Sequence, residues 1–239
     1  MKYIAAFELE KREIKADYRR IFISFFKKAI TDYMEGHFYD SLYNSGANKK
    51  SLVWSIRFSE PKFQGGMINL KDNKVILTFK SNDMETSLIY YSSLLGMRNK
   101  EFMISSDNFM ILKSVKLVRE LEIVEDMAVF KIFSPICLRE HDREKNKDWY
   151  FSYGDERFKE ALCNSFKSDL SNFTREIDEL EFDFSGLKKI VVSAFKQKIP
   201  ATIGTFVVKG DKRILNHILH SGIGSRRNAG FGLVERIII

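Results

Sequence analysis

Apolar positions along this chain recur with two different periods, and the order in which the periods alternate is itself repeated. Residues 3–10 alternate every second position and predict a strand. Asp17 suits a helix start. After it Ile21, Phe22, Phe25, Phe26, Ala29, Ile30 and Tyr33 share one helical face, with Arg19, Arg20, Lys27 and Lys28 on the other. A helical turn is predicted at 40–43 and a strand at 52–58. Residues 67–70 and 75–79 read as a strand or hairpin around Lys71, Asp72 and Asn73. Asp83 predicts a second cap, for a helix with Met84, Leu88, Tyr91 and Leu95 inward that ends at Gly96, and 109–121 reads as one long strand.

The second half repeats this order. Residues 128–138 predict a strand with an edge or bulge at Pro135, and the polar stretch 139–154 predicts a loop. Asp155 predicts a cap for a helix with Phe158, Leu162, Phe166, Leu170 and Phe173 inward. A hairpin follows over 187–198 and 201–209, turning at Ile199 and Pro200. A short helix over 211–220 buries Ile214, Leu215, Ile218 and Leu219, and 231–239 reads as the closing strand. Each half therefore runs β-α-β-β-α-β. The fold class expected is α+β, two tandem ferredoxin-like (RRM-like) domains over 1–125 and 126–239. With 239 residues, 44% hydrophobic and 21 of them Phe, the chain has enough apolar surface for two cores.

Charge changes the picture through its placement. The net charge is +7, but residues 155–185 carry four basic and nine acidic side chains, while 186–236 carry ten basic and two acidic ones. The basic excess lies in the last fifth of the chain and points to an acidic partner. Cys137 and Cys163 sit among apolar residues and read as reduced core positions. The first residues hold too short an apolar run for a signal peptide, and no run approaches the ~20 apolar residues that cross a bilayer. A cytoplasmic protein with no membrane partner is expected.

The most specific stretch is Gly222, Ile223, Gly224, Ser225, Arg226, Arg227, Asn228, Ala229, Gly230, Phe231 and Gly232. Two glycine pairs each flank one apolar residue, with a polar run between them. Glycines allow positive φ and close backbone approach. Exposed N–H groups can cradle phosphate oxygens, two arginines add planar cationic donors, and Asn228 can bond a base or a sugar hydroxyl. The spacing is neither a dinucleotide-binding nor a Walker loop.

This loop resembles the G-φ-G-x5-G-φ-G signature of the RAMP superfamily of CRISPR-associated proteins, φ being apolar. Phe133 to Ile136, the helix at 158–173, the run IGTFVVKGDKRILNHILHSGIG and, in the first half, IRFSEPKFQGG extend the likeness to the family's repeat-cleaving endoribonuclease. The resemblance implies two ferredoxin-like domains, agreeing with the element order. It also implies metal-independent cleavage of CRISPR repeat RNA with no cofactor. The 2′-hydroxyl would attack, leaving a 5′-hydroxyl and a 2′,3′-cyclic phosphate, and the crRNA product can be retained. The family's catalytic histidine lies between the first helix and the second strand, which points to His37. In familiar members it stands nearer that strand, where this chain has Tyr43 or Asn44, followed by Lys49 and Lys50. The catalytic candidates are thus His37, Tyr43 and Lys50 (or Lys49), with Lys27 a lesser one. The RNA-binding candidates are Gly222, Gly224, Ser225, Arg226, Arg227, Asn228, Gly230 and Gly232, and no metal ligands are expected.

His217 and His220 read as structural and His141 as incidental. Trp149, Tyr150, Phe151 and Tyr153 can stack on bases or pack on their own domain. The partners implied are repeat RNA or crRNA and other interference-complex subunits, with the chain itself a monomer or homodimer. The alternative is a RAMP-type subunit that grips crRNA without cutting it. A generic tandem RRM protein would need an aromatic octet on a central strand, and AVFKIFSP and IVVSAFKQ lack it.

Overall fold

Alternation in the first strand decides the first unit. In β1 (Lys2–Leu9) Tyr3, Ala5, Phe7 and Leu9 are buried, while the residues between them are half-buried. The computed structural model describes residues 1–44, 51–142, 144 and 147–238. Its contacts divide the chain into two compact units, Met1–Glu120 and Leu121–Ile239.

The first unit runs β1, β2 (Glu13–Lys15), α1 (Tyr18–Asp32), a 3-10 turn (Tyr33–Gly36) and α2 (Tyr39–Tyr43). It continues with β3 (Leu52–Phe58), β4 (Lys62–Gln64), β5 (Met67–Asn69), β6 (Lys74–Ser81), α3 (Met84–Gly96), β7 (Glu101–Ser105) and β8 (Asn108–Val118). The main sheet has the order β3-β6-β1-β8-β7 and is antiparallel throughout. α1 and α3 pack side by side. Phe22, Phe25 and Phe26 of α1 meet Phe7, Trp54 and Phe79 of the sheet edge to face or tilted, in one aromatic core.

Several expectations shift here. Asp17 occupies the N-cap position of α1, but its side chain makes no capping bond. Arg19 is buried instead of lying on the polar face, with its guanidinium 4.8 Å from the Tyr18 ring centre. Asp83 does cap α3, accepting from the Thr86 N–H at 2.8 Å. The inward face of α3 is rotated by one residue, about 100°. Ser87, Ile89, Tyr90, Ser93 and Leu94 are buried, while Met84 (64%), Leu88 (47%) and Leu95 (37%) face out. The two serines let the helix sit close to its neighbours. β5 and β6 do not pair: β5 joins β2 and β4 in a separate small sheet. The expected last strand over 109–121 is β8, and it pairs in a hairpin with β7, which was not expected.

The second unit runs β9 (Met127–Ile132), β10 (Leu138–Asp142), β11 (Lys147–Phe151), α4 (Phe158–Asp169), α5 (Thr174–Asp178) and β12 (Glu181–Asp183). Then come β13 (Leu187–Ala194), β14 (Gln197–Lys209), α6 (Lys212–Ser221) and β15 (Val234–Ile237). The central sheet has the order β12-β14-β9-β15, with β13 on the free half of β14. Phe158, Leu162 and Phe166 of α4 and Ile214, Leu215, Ile218 and Leu219 of α6 are buried in one core. Ile123 belongs to this unit: its N–H donates to Asn216 Oδ1 and its carbonyl accepts from Asn216 Nδ2, both at 2.8 Å.

The first strand of this half stops at Ile132, short of Pro135. Residues 139–154 are not a plain loop but carry the β10–β11 hairpin. α4 begins at Phe158, and Asp155 stabilises the turn before it by accepting from the Ser152 N–H at 2.7 Å. The β13–β14 turn falls at Phe195 and Lys196, whose φ angles are 54° and 61°, and Pro200 lies inside β14 opposite Val191. Two consecutive left-handed residues match the right-handed twist of a hairpin, which is why the turn forms there.

Candidate functional site

The glycine loop is built to close on itself. Gly222 ends α6 with φ 72°, and Ile223 and Phe231 are fully buried, so both flanking apolar residues plug into the unit. The Ile223 N–H donates to the Gly232 carbonyl at 2.8 Å, the Gly232 N–H to Pro135 at 2.9 Å, and the Ser225 N–H to Cys137 at 2.7 Å. A Cβ at Gly232 would stand 1.9 Å from the Ile223 carbonyl oxygen, and one at Gly224 2.5 Å from that of Cys137. These two glycines therefore serve close approach to the protein's own backbone. The expected open nest of N–H groups is correspondingly smaller, because Ile223, Ser225, Ala229, Gly230 and Gly232 donate within the unit. Gly222 and Gly230 to Gly232 are buried, whereas Gly224, Ser225, Arg226, Arg227, Asn228 and Ala229 form a half-exposed crest.

The two arginines part company. Arg226 takes a left-handed conformation, φ 57° and ψ 29°. Its Nη2 donates to the Tyr150 hydroxyl at 2.7 Å and lies 3.6 Å from Asp148, and its guanidinium sits 5.6 and 6.0 Å from the ring centres of Tyr150 and Phe195. Arg227 turns inward, contrary to its expected place against RNA. Its Nη1 lies 2.6 Å from Asp169 Oδ2, with side chains 13% and 10% exposed, and donates to the Ser221 carbonyl at 3.3 Å. His217 Nε2 shares the same Asp169 oxygen at 3.3 Å and its Nδ1 meets Ser221 Oγ at 3.3 Å, so the loop is locked to the ends of α4 and α6. His220 Nε2 meets Glu122 at 2.9 Å.

In the first unit His37 follows three consecutive left-handed residues, Met34 (φ 46°), Glu35 (φ 55°) and Gly36 (φ 77°). Non-glycine residues held there cost about 1–2 kcal/mol each, strain of the kind that gathers at functional positions. The kink leaves His37 exposed, its ring edge-on to Phe38 at 4.9 Å. Tyr43 is half-buried, with its hydroxyl 3.0 Å from that of Tyr90 and the Lys27 ammonium 5.3 Å from its ring centre. Burial first, and then the Tyr90 hydroxyl, push the Tyr43 phenol well above its ordinary value, while burial pushes Tyr90 up to about 12. Tyr43 therefore favours its protonated form and can donate a hydrogen bond. Lys49 and Lys50 lie outside the described residues.

Sequence reasoning did not bring Arg139, His141, Asp148 and Tyr150 together. Asp148 accepts from His141 Nδ1 at 2.8 Å, Arg139 Nη1 at 3.1 Å and the Tyr150 hydroxyl at 3.3 Å. These bonds, that of His141 foremost, hold its carboxyl below the ordinary range. The signal was period-two spacing, Arg139 with His141 and Asp148 with Tyr150, inside a stretch too polar to read as a hairpin. Among the described residues no three His, Cys, Asp or Glu side chains gather as a metal site, and no helix is long and apolar enough to cross a membrane.

Both units carry the ferredoxin-like strand order, and a glycine-flanked arginine loop sits in the second: the combination is similar to that of RAMP proteins. The same fold occurs in the product of a Cas6-related gene from Pyrococcus furiosus (18% identity, TM-score 0.82, covering 99% of this chain and 98% of that one). It also occurs in an RAMP protein binding different RNA substrates (17%, 0.81, all of both chains) and in a Cas6 product complex (16%, 0.72, 99% and 100%). No curated protein matches the sequence. Residues 118–236 match the family model for the C-terminal part of CRISPR associated protein Cas6, so the second unit carries a Cas6-type C-terminal domain.

Proposed function

We propose that this protein binds CRISPR repeat RNA and cuts it without a metal ion. The observation that carries the reading is the Cas6 C-terminal domain with its glycine loop, whose crest holds Arg226 half-exposed beside Arg139. The fold it shares with an RAMP protein binding different RNA substrates and with a Cas6 product complex supports the choice of RNA.

In the step proposed, the 2′-oxygen bonds to the adjacent phosphorus and the bond to the 5′-oxygen breaks. The 2′-hydroxyl proton passes to a base and the 5′-oxygen receives one from an acid, leaving a 2′,3′-cyclic phosphate and a 5′-hydroxyl. His37 is assigned the proton transfer because imidazoles exchange protons near neutrality and this one is exposed. Tyr43, neutral and bonded to Tyr90, is assigned orientation of its neighbours. Stabilisation of the phosphorane charge by Lys50 or Lys49 completes the proposal. Retention of the product is assigned to the loop crest, with Arg226 as its cationic contact and Arg227 as the pin behind it.

The test is incubation of the pure protein with the repeat RNA of its own locus, with and without EDTA. Cleavage in EDTA that stops when the nucleotide before the cut is 2′-deoxy, while binding stays intact, is the expected result. Tight binding with no cleavage under any condition would make the protein a crRNA-gripping subunit instead.

A further inference from the structure

We infer that Arg139, His141 and Arg226 form a subsite for one backbone phosphate, with Asp148 and Tyr150 as its positioning residues. The ligand's identity as RNA rests on the function proposed above; the anion site itself rests on geometry.

Two segments far apart in sequence converge here. In the β10–β11 hairpin Arg139 pairs with Tyr150 and His141 with Asp148, so these four side chains share one face. The loop crest brings Arg226 to the same face, and the Arg139 N–H donates to Ser225 Oγ at 3.2 Å. Among the described residues Asp148 is the carboxylate that both arginines share, so the cluster is positive even with His141 neutral. A surface ion pair needs only one cation for one carboxylate, and exposed pairs contribute at most about 1 kcal/mol. That does not account for Arg226 being held left-handed with its guanidinium 5.6 and 6.0 Å from two ring centres, in a conformation costing about 1–2 kcal/mol. Such an arrangement is understandable if the guanidinium must be presented in a fixed place.

Asp148 acts as the template. Kept ionised by its donors, it aligns Arg139 through Nη1, Arg226 through Nη2 and His141 through Nδ1. Each guanidinium carries five N–H donors in a rigid fork, and His141 in its protonated form adds a second donor, Nε2–H, on the far side of the ring from Asp148. Side-chain exposures of 36% for Arg139, 38% for His141 and 20% for Arg226 leave these groups open to solvent. A singly charged phosphodiester neutralises the excess and matches the forks.

The experiment uses the full chain and short single-stranded RNA with 2′-O-methyl sugars, which cannot be cut by the proposed route. Binding is followed by anisotropy and by titration calorimetry. Arg139→Gln is expected to weaken binding about tenfold and to flatten the log–log salt dependence by about 0.7, the value for one single-strand phosphate contact. Arg139→Lys should keep the slope. His141→Asn, which preserves a donor near Nδ1 but removes Nε2, should weaken binding several-fold, with melting temperatures of all three close to the parent's. Wild-type affinity and slope in both Arg139→Gln and His141→Asn would overturn the subsite. If the parent binds but never cuts repeat RNA, only the function falls. If it binds no RNA, yet calorimetry shows inorganic phosphate binding to the parent and not to Arg139→Gln, the site stands as an anion site of another use; no phosphate binding overturns it as well.

Discussion

Replacing Arg227 by Gln should loosen the second unit without changing how binding responds to salt. The guanidinium lies 2.6 Å from Asp169 Oδ2, with both side chains nearly buried, and His217 shares that oxygen. Removing one member of a fully buried pair costs about 3–5 kcal/mol because the other is left desolvated and unpaired, while exposed pairs are worth about 0–1 kcal/mol. A pair at this burial falls between, near ~2 kcal/mol. For a unit of this size that lowers the melting temperature by about 6–10 °C. Asp169→Asn should cost as much, since it strands Arg227 and deprives His217 of its carboxylate. The double variant should be better than the sum of the singles by about 1–2 kcal/mol. Thermal and urea unfolding of the three variants, with RNA binding at several salt concentrations, gives the cycle. An Arg227→Gln variant that melts like the parent but loses about 0.7 from its salt slope would show that Arg227 meets phosphate, and would refute the pin.

Four further outcomes are expected. His37→Ala should lower single-turnover cleavage by about 10²–10⁴-fold with unchanged affinity, and an undiminished rate would remove His37 from the chemistry. Tyr43→Phe deletes the bond to Tyr90, costing about 0.5–1.5 kcal/mol of stability, with cleavage within about threefold of the parent; a hundredfold loss would return Tyr43 to the reaction. Gly232→Ala forces a Cβ onto the Ile223 carbonyl at positive φ, so binding should fall together with local protection from hydrogen exchange in 222–232, and a silent substitution would contradict the packing described. Asp155, Asp148 and Asp211 are held below the ordinary carboxylate value, by the Ser152 N–H, by His141 and by Arg213 in turn. The unfolded chain therefore takes up their protons first: stability from these groups is complete above pH ~4 and is lost as pH falls towards their folded values. Urea midpoints should be flat from about pH 7 to 5 and drop at about pH 3; a rise on acidification would be the contrary result.

The repeated ferredoxin-like order was legible because its core helices and strands carry strong periods. In α6 the Ile214, Leu215, Ile218 and Leu219 stripe leaves no second choice, and all four are buried. α3 misled because it is apolar on nearly every side, so periodicity could not choose between the Leu88 face and the Ile89–Tyr90 face; the tertiary fit of small serines did. The β10–β11 hairpin was invisible because the face it turns to the glycine loop is charged and its partners come from a loop far along the chain. For the same reason the loop itself could be found but not dissected. Adjacent arginines look alike in sequence, and only Asp169 and Tyr150 separate their fates.

β14 changes partners midway. Residues 197–204 pair with β13, and from Thr205 onward the strand pairs with β9 and β12. At thirteen residues it extends about 40 Å, and it passes from one partner to the next at Gly204, where a Cβ would lie 2.1 Å from the Gly186 carbonyl oxygen. The same unbroken strand thus carries the Phe195 turn that rests on Arg226 at one end and a central position of the sheet at the other. A load applied at that turn is borne by the unit's innermost ladder, so the arm works as a beam anchored in the wall, and stiffness at the crest is set by how firmly the core holds the far end.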